Sequence, residues 1–185
     1  MLKTEYQTMV ADLSKPGGDI ITSLTPIKAH TLHMAVGLAG EAGELLEHFC
    51  VGYEGISGSS IIEELGDAEF YFEGLCQSMG TTIGQSGATS DDPLSVPRYV
   101  VATTQMLDII KKMVIHNKDT PLMTFVNALT EVRVYLDRVY SYYGFTQTNA
   151  QLHNLDKLLK GKGARYKDGS YSDEASAARA DKVKS

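Results

Sequence analysis

Between Lys28 and Arg98 the chain has no lysine or arginine, yet it places eleven carboxylates there. Within this stretch Glu41 and Glu44, and then Glu64 and Asp67, form two helix-compatible pairs amid apolar sequence. So much uncompensated negative charge restricts the arrangements open to the chain. The acids must either line a solvated face or converge on a cation from outside the protein. A hard divalent ion suits carboxylate oxygens, and two cysteines, Cys50 and Cys76, are too few to offer a softer ion a thiol cluster. Both cysteines fall in apolar helical pattern, where a buried free thiol is the ordinary expectation.

The apolar residues recur at helical spacing almost throughout. A first helix is expected over about 3–13, with Tyr6, Met9, Val10 and Leu13 on one side. Thr25 and Pro26 are a good cap and first-position pair, and open a long helix to about Phe49. Gly52, Gly55 and Gly58 break it. The next helix is expected from Ser60, in capping-box spacing with Glu63, to Met79, where Gly80 stops it. From Thr81 to Val96 the composition turns to Gly, Ser, Thr and Asp, which reads as a mobile loop. Helices resume over 96–116 and, after Thr120 and Pro121, over 121–143. A last short helix is expected over about 148–160, started by Thr148 with Gln151 in the capping-box position. These patterns predict an all-α fold of four or five packed helices, with residues 1–160 as a single helical domain and 161–185 as a polar, basic, partly flexible tail.

The charge is divided along the chain. Residues 1–153 carry 9 basic and 18 acidic side chains, and residues 154–185 carry 8 basic and 5 acidic. A basic tail on an acidic body, without an aromatic-interleaved basic face, excludes a nucleic-acid binder. The polar N-terminus lacks the apolar stretch of a secretory signal and no run approaches membrane-spanning length, so a cytoplasmic protein with no membrane partner is expected.

Residues three apart on a helix share a face, about 5–6 Å apart at Cβ. Two such helices packed side by side bring Glu41, Glu44, Glu64 and Asp67 to a common point. A solvated face is the plain alternative. Against it stand the apolar flanks, Ala35, Leu38, Ala42 and Leu45 around the first pair and Leu65, Ala68, Phe70 and Tyr71 around the second. Gly37, Gly40 and Gly43 cost helix propensity, which close approach of a backbone or ligand would repay. Only Glu64 of the neighbours Glu63 and Glu64 shares a face with Asp67, which leaves Glu63 to the helix cap. Glu47 continues the first pair by one more turn, either supporting the acidic site or lying at the surface, and Glu69 and Glu73 read as surface.

The segments GLAGEAGELLEHF and IIEELGDAEFYF resemble the MazG-like all-α nucleoside triphosphate pyrophosphohydrolases, whose signature is EExxE followed after a variable gap by ExxD. Here it reads Gly40-Glu41-Ala42-Gly43-Glu44 and Glu64-Leu65-Gly66-Asp67. NLDKLLKGKGARY is similar to a segment near the C-terminus of many members. One position departs: the first glutamate of the motif is Gly40. The resemblance implies a helical bundle of that family's type, assembled as a homodimer or homotetramer. It implies Mg²⁺, or Mn²⁺ in its place, on Glu41, Glu44, Glu64 and Asp67. The implied activity is hydrolysis of a nucleoside triphosphate to its monophosphate and pyrophosphate, by a water activated at the carboxylate-held metal and oriented by Glu41 or Glu44.

Phosphates held on an acidic site need cationic donors as well. Lys111 and Lys112 are candidates by charge, and Asn154, Lys157 and Arg165 by resemblance. His30 and His33 continue the Glu41 and Glu44 face upstream, and His33 is a candidate for the base pocket. His48 and Tyr71 also fall near the acidic face, whereas Tyr140, Tyr142, Tyr143 and Phe145 read as core or subunit contact. Two other classes fit the acids less well. A carboxylate-bridged dimetal bundle needs a histidine three residues after a glutamate, and none of the five histidines has it. A non-enzymatic acidic module binding a basic partner would not release pyrophosphate.

Overall fold

The computed structural model describes residues 2–51 and 57–179. Its elements in chain order are α1 (Leu2–Leu13), α2 (Gly17–Ser23), α3 (Pro26–Val51), α4 (Gly58–Ser78), α5 (Ser95–Ile115), α6 (Leu122–Tyr143), α7 (Gln147–Leu155), a π-helical continuation of α7 (Asp156–Lys160), and α8 (Asp173–Ala178). No strand occurs among the described residues, and the protein is all-α. None of these helices is long and apolar enough to cross a membrane. Gly52 and Gly55, expected to break the long helix, lie outside the described residues.

The helix starts follow from side chains that satisfy the exposed first-turn amides. Thr25 accepts from the Lys28 amide at 3.3 Å ahead of Pro26. α4 starts earlier than the expected Ser60, because Ser57 takes the cap and accepts from the Ser60 amide at 3.4 Å. α7 likewise starts before Thr148. Thr146 is its cap, and Asn149, not Gln151, completes the capping box. Gly80, at φ 61°, ends α4 as expected.

α3 lies between α4 and α5, α6 packs on α5, and α7 packs on α4. Their shared interior holds Leu38, Leu45, Leu65, Phe72, Met106 and Leu129, each 2% exposed or less. Burial of each such side chain contributes about 1.5–3 kcal/mol, the term that holds four long helices together. α1 contributes nothing to this core. Its apolar side, Tyr6, Met9, Val10 and Leu13, is 43–77% exposed.

Two segments are more fixed than their composition suggests. The stretch between α4 and α5, expected as a mobile loop, is tied to α6. The Ser86 amide and hydroxyl donate to Asp137 Oδ2 at 2.6 and 2.7 Å, and the Ser90 amide to Ser141 Oγ at 3.1 Å. Residues 161–166 turn back on the π-helical turn, with Arg165 N donating to Lys157 O at 3.1 Å and Tyr166 N to Leu158 O at 2.8 Å. Ala164 is buried there and α8 follows. Cys76 is buried as expected, but Cys50, at the end of α3, is exposed.

Candidate metal centre

α3 and α4 bring three carboxylates together. Glu41 from α3 and Glu64 and Asp67 from α4 each offer an oxygen within 4.8 Å of the others. Glu64 and Asp67 share a face of α4 by their three-residue spacing, while Leu65 and Ala68 between and beside them are fully buried and hold that face in place. Glu64 is 8% exposed, and Glu41 and Asp67 are half-buried. Glu44 is exposed and stands outside this tight group. Its charge still raises the pKa of both Glu41 and Glu64, which sets it at the rim.

The carboxylates oppose one another's ionisation. Burial, then the Asp67 charge, then a hydrogen bond with Glu64 push the Glu41 carboxyl up to about 8. Glu64 is raised too, chiefly by burial and next by the charge of Glu44, while its hydrogen bond with Glu41 acts in the opposite sense. Glu41 therefore holds its proton to higher pH than an ordinary carboxyl. A multivalent cation can take that proton's place, and an all-oxygen donor set suits a hard ion.

The C-terminal segment closes on the same carboxylates. Asn154 Nδ2 donates to Asp67 Oδ1 at 2.6 Å, and Lys157 Nζ to Asp67 Oδ1 and Oδ2 at 2.6 and 2.5 Å. Lys157 also meets Glu63 Oε1 at 3.4 Å, so Glu63 is an ion-pair partner of the tail while Ser57 does the capping. Gly66 makes this closure possible. A Cβ there would lie 2.9 Å from Ala150 O and 3.0 Å from Asn154 Cβ, so only glycine lets α7 come so near.

Tyr71 forms the other flank. Burial raises its phenol, followed by the charges of Glu41 and Asp67, with Arg165 opposing, so Arg165 and Tyr71 both stand beside the cluster. Gly37 seats the Tyr71 ring, which a Cβ at that position would overlap. His33 is edge-on to the ring, centroids 6.1 Å apart, and is exposed, as is His30. Gly40 and Gly43 face open space instead of a close neighbour, contrary to the expectation for all three glycines. His48 Nε2 lies 3.9 Å from Glu64 Oε1. Lys111 and Lys112 pair with Asp108 on the exposed side of α5, at 3.7 and 2.5 Å.

One glutamate read as surface from the sequence is buried. Glu69, 4% exposed, accepts from Arg133 Nη1 at 2.6 Å, Tyr140 Oη at 2.7 Å, Gln147 Nε2 at 2.9 Å and Gln151 Nε2 at 3.3 Å. Arg133 is 1% exposed, reaches Asp137 Oδ1 at 3.3 Å, and lies 4.2 Å over the Phe72 ring. The readable signal was Arg133 itself, which falls on the apolar spacing of Leu129, Val132, Leu136 and Tyr140 in LMTFVNALTEVRVYLDRVYSYY and so required a buried acid. Glu73 is exposed, as expected, and accepts from Gln77 at 2.9 Å.

Compared with protein-family models, curated proteins and solved structures, the chain matches none of them. The likeness to the MazG-like family therefore rests on the motif residues alone.

Proposed function

We propose that this protein is a metal-dependent nucleoside triphosphate pyrophosphohydrolase, a hydrolase acting on acid anhydrides, with a bundle of the MazG-like type that assembles as a homodimer or homotetramer in the cytoplasm. The observation that carries the reading is the convergence of Glu41, Glu64 and Asp67, with Asn154 and Lys157 donating to Asp67. Acids brought together this closely, two of them reluctant to ionise side by side, fit a cation site better than a solvated face.

Glu41, Glu64 and Asp67 would hold Mg²⁺ or Mn²⁺, with Glu44 at the rim. Bound there, the ion would neutralise phosphate charge and lower the pKa of a water. Glu44, exposed and outside the tight group, would orient the attacking water and accept its proton, the first motif position being Gly40. Asn154, Lys157 and Arg165 supply donors to the phosphate oxygens. Tyr71 and His33 form the flank on which the nucleoside rests.

The test is a panel of canonical and modified NTPs and dNTPs with Mg²⁺, products identified by chromatography and pyrophosphate release. Release from at least one nucleotide, abolished in Glu64→Gln, is the expected result. A metal-saturated protein that hydrolyses none of the panel overturns the reading.

A further inference from the structure

Lys157 is an unusual neighbour for a metal ligand. Its side chain is 8% exposed, and its ammonium straddles the Asp67 carboxylate, 2.6 Å from Oδ1 and 2.5 Å from Oδ2. Oδ1 also receives the Asn154 amide at 2.6 Å, so both oxygens of Asp67 are committed before any metal arrives. An ion of the Mg²⁺ kind needs its oxygens at about 2.0–2.1 Å and tolerates little distortion. Ammonium and divalent ion thus compete for the same lone pairs, and each repels the other.

The surroundings let the side chain leave without moving the backbone. The Lys157 carbonyl is held by the Arg165 amide at 3.1 Å. Beside it lies an open polar cavity of about 300 Å³ lined by Lys157, His153, Lys162 and Gly163. Lys157 sits in the π-helical continuation of α7, and insertions of this kind are frequent at functional sites. Resting on the metal-site reading above, we propose that Lys157 is the resident counter-cation of the carboxylate cluster, and that a divalent metal enters by displacing its ammonium from Asp67 into the adjoining cavity. One side chain then serves two states. It neutralises Asp67 when metal is absent and is released as a cationic donor when metal is bound.

Lysine acylation followed by mass spectrometry, run on the full chain with and without Mg²⁺ beside a calorimetric titration, reads the exchange directly. Lys111, 55% exposed, is the internal reference, against 8% for Lys157. The ratio of those exposures, 55/8, sets the expected gain: Lys157 should react about sevenfold faster with Mg²⁺, with Lys111 unchanged. Lys157→Met should bind Mg²⁺ more tightly, about tenfold if the ammonium occupies Asp67 nine-tenths of the time. Heat from Mg²⁺ with Lys157 still protected overturns the exchange and leaves the metal site standing, as does weaker Mg²⁺ binding by Lys157→Met, which would make Lys157 a support for Asp67. An absence of heat and of any melting shift in both proteins overturns the metal site, and the exchange with it.

Discussion

Glu69→Gln should be among the most damaging single substitutions in this chain, although it lies outside the proposed metal centre. The native carboxylate satisfies four donors, Arg133 and Tyr140 on Oε1 and Gln147 and Gln151 on Oε2. Glutamine keeps one acceptor oxygen and turns an NH₂ toward the remaining donors. Arg133, 1% exposed and with Nε and Nη2 lacking hydrogen-bond partners, could still meet that oxygen but would have only Asp137, at 3.3 Å, to balance its charge. Leaving one half of a buried pair uncompensated costs about 3–5 kcal/mol. In a chain of this size each kcal/mol moves the melting temperature by about 2–4 °C, so a fall of about 6–20 °C is expected.

Circular dichroism gives the melting temperature, and a urea titration with unchanged slope shows that native stability has changed, not the compactness of the unfolded chain. The double variant Glu69→Met with Arg133→Met should recover much of the loss, because replacing both charges with apolar groups of similar size is often neutral or better. The cycle of single and double variants isolates the coupling between the two residues. A Glu69→Gln protein within about 0.5 kcal/mol of the parent, the range of ordinary surface changes, would refute the claim that this network is dry.

Mg²⁺ or Mn²⁺ should raise the melting temperature by linkage, by the equivalent of about 2.7 kcal/mol at a hundredfold excess over the dissociation constant; no shift at millimolar levels would count against the metal centre. Metal-free stability should fall as pH rises between the unfolded and folded values of Glu41, 4.5 and about 8, because there the folded protein retains a proton that the unfolded chain has released. That slope should flatten in Glu41→Gln, and Mg²⁺ binding should tighten across the same window as the proton is expelled, both readable by calorimetry at several pH values. Gly66→Ala, whose new Cβ meets Ala150 O and Asn154 Cβ, should cost about 1–3 kcal/mol and free α7 from α4, seen as faster amide exchange over 147–160. Gly40→Ala, with nothing within 4 Å, should be neutral or stabilising in the same melt.

The helical order, the Thr25–Pro26 start, the stop at Gly80 and the meeting of Glu41, Glu64 and Asp67 were legible because each is written in local spacing. What escaped was set by distant partners. Ser57 and Thr146 displaced the expected caps by three and two residues, a choice among neighbouring hydroxyls that local pattern cannot rank. Ser86 and Ser90 looked like loop residues because their acceptors, Asp137 and Ser141, lie 51 positions away. Glu69 was misread for the same reason, its partner Arg133 being 64 residues on.

α4 carries its acids on two sides, and this division links the candidate metal centre to the core. Glu64 and Asp67 face Glu41 of α3, while Glu69, two residues later, turns toward Arg133 of α6. α7 holds both sides at once, with Gln147 and Gln151 on Glu69 and Asn154 and Lys157 on Asp67. Gln147, Gln151 and Asn154 recur at helical spacing along one face, and Lys157 continues it, so the segment is a polar splint laid along α4 over Gly66. An apolar face in its place would bind as firmly but would offer the carboxylates no donors. Through Asn154 and Lys157 the polar splint fixes the Asp67 carboxylate on its face of α4. Under the exchange proposed above, only the Lys157 end of the segment lets go of its carboxylate, while the contacts at Glu69 hold the helix where it is.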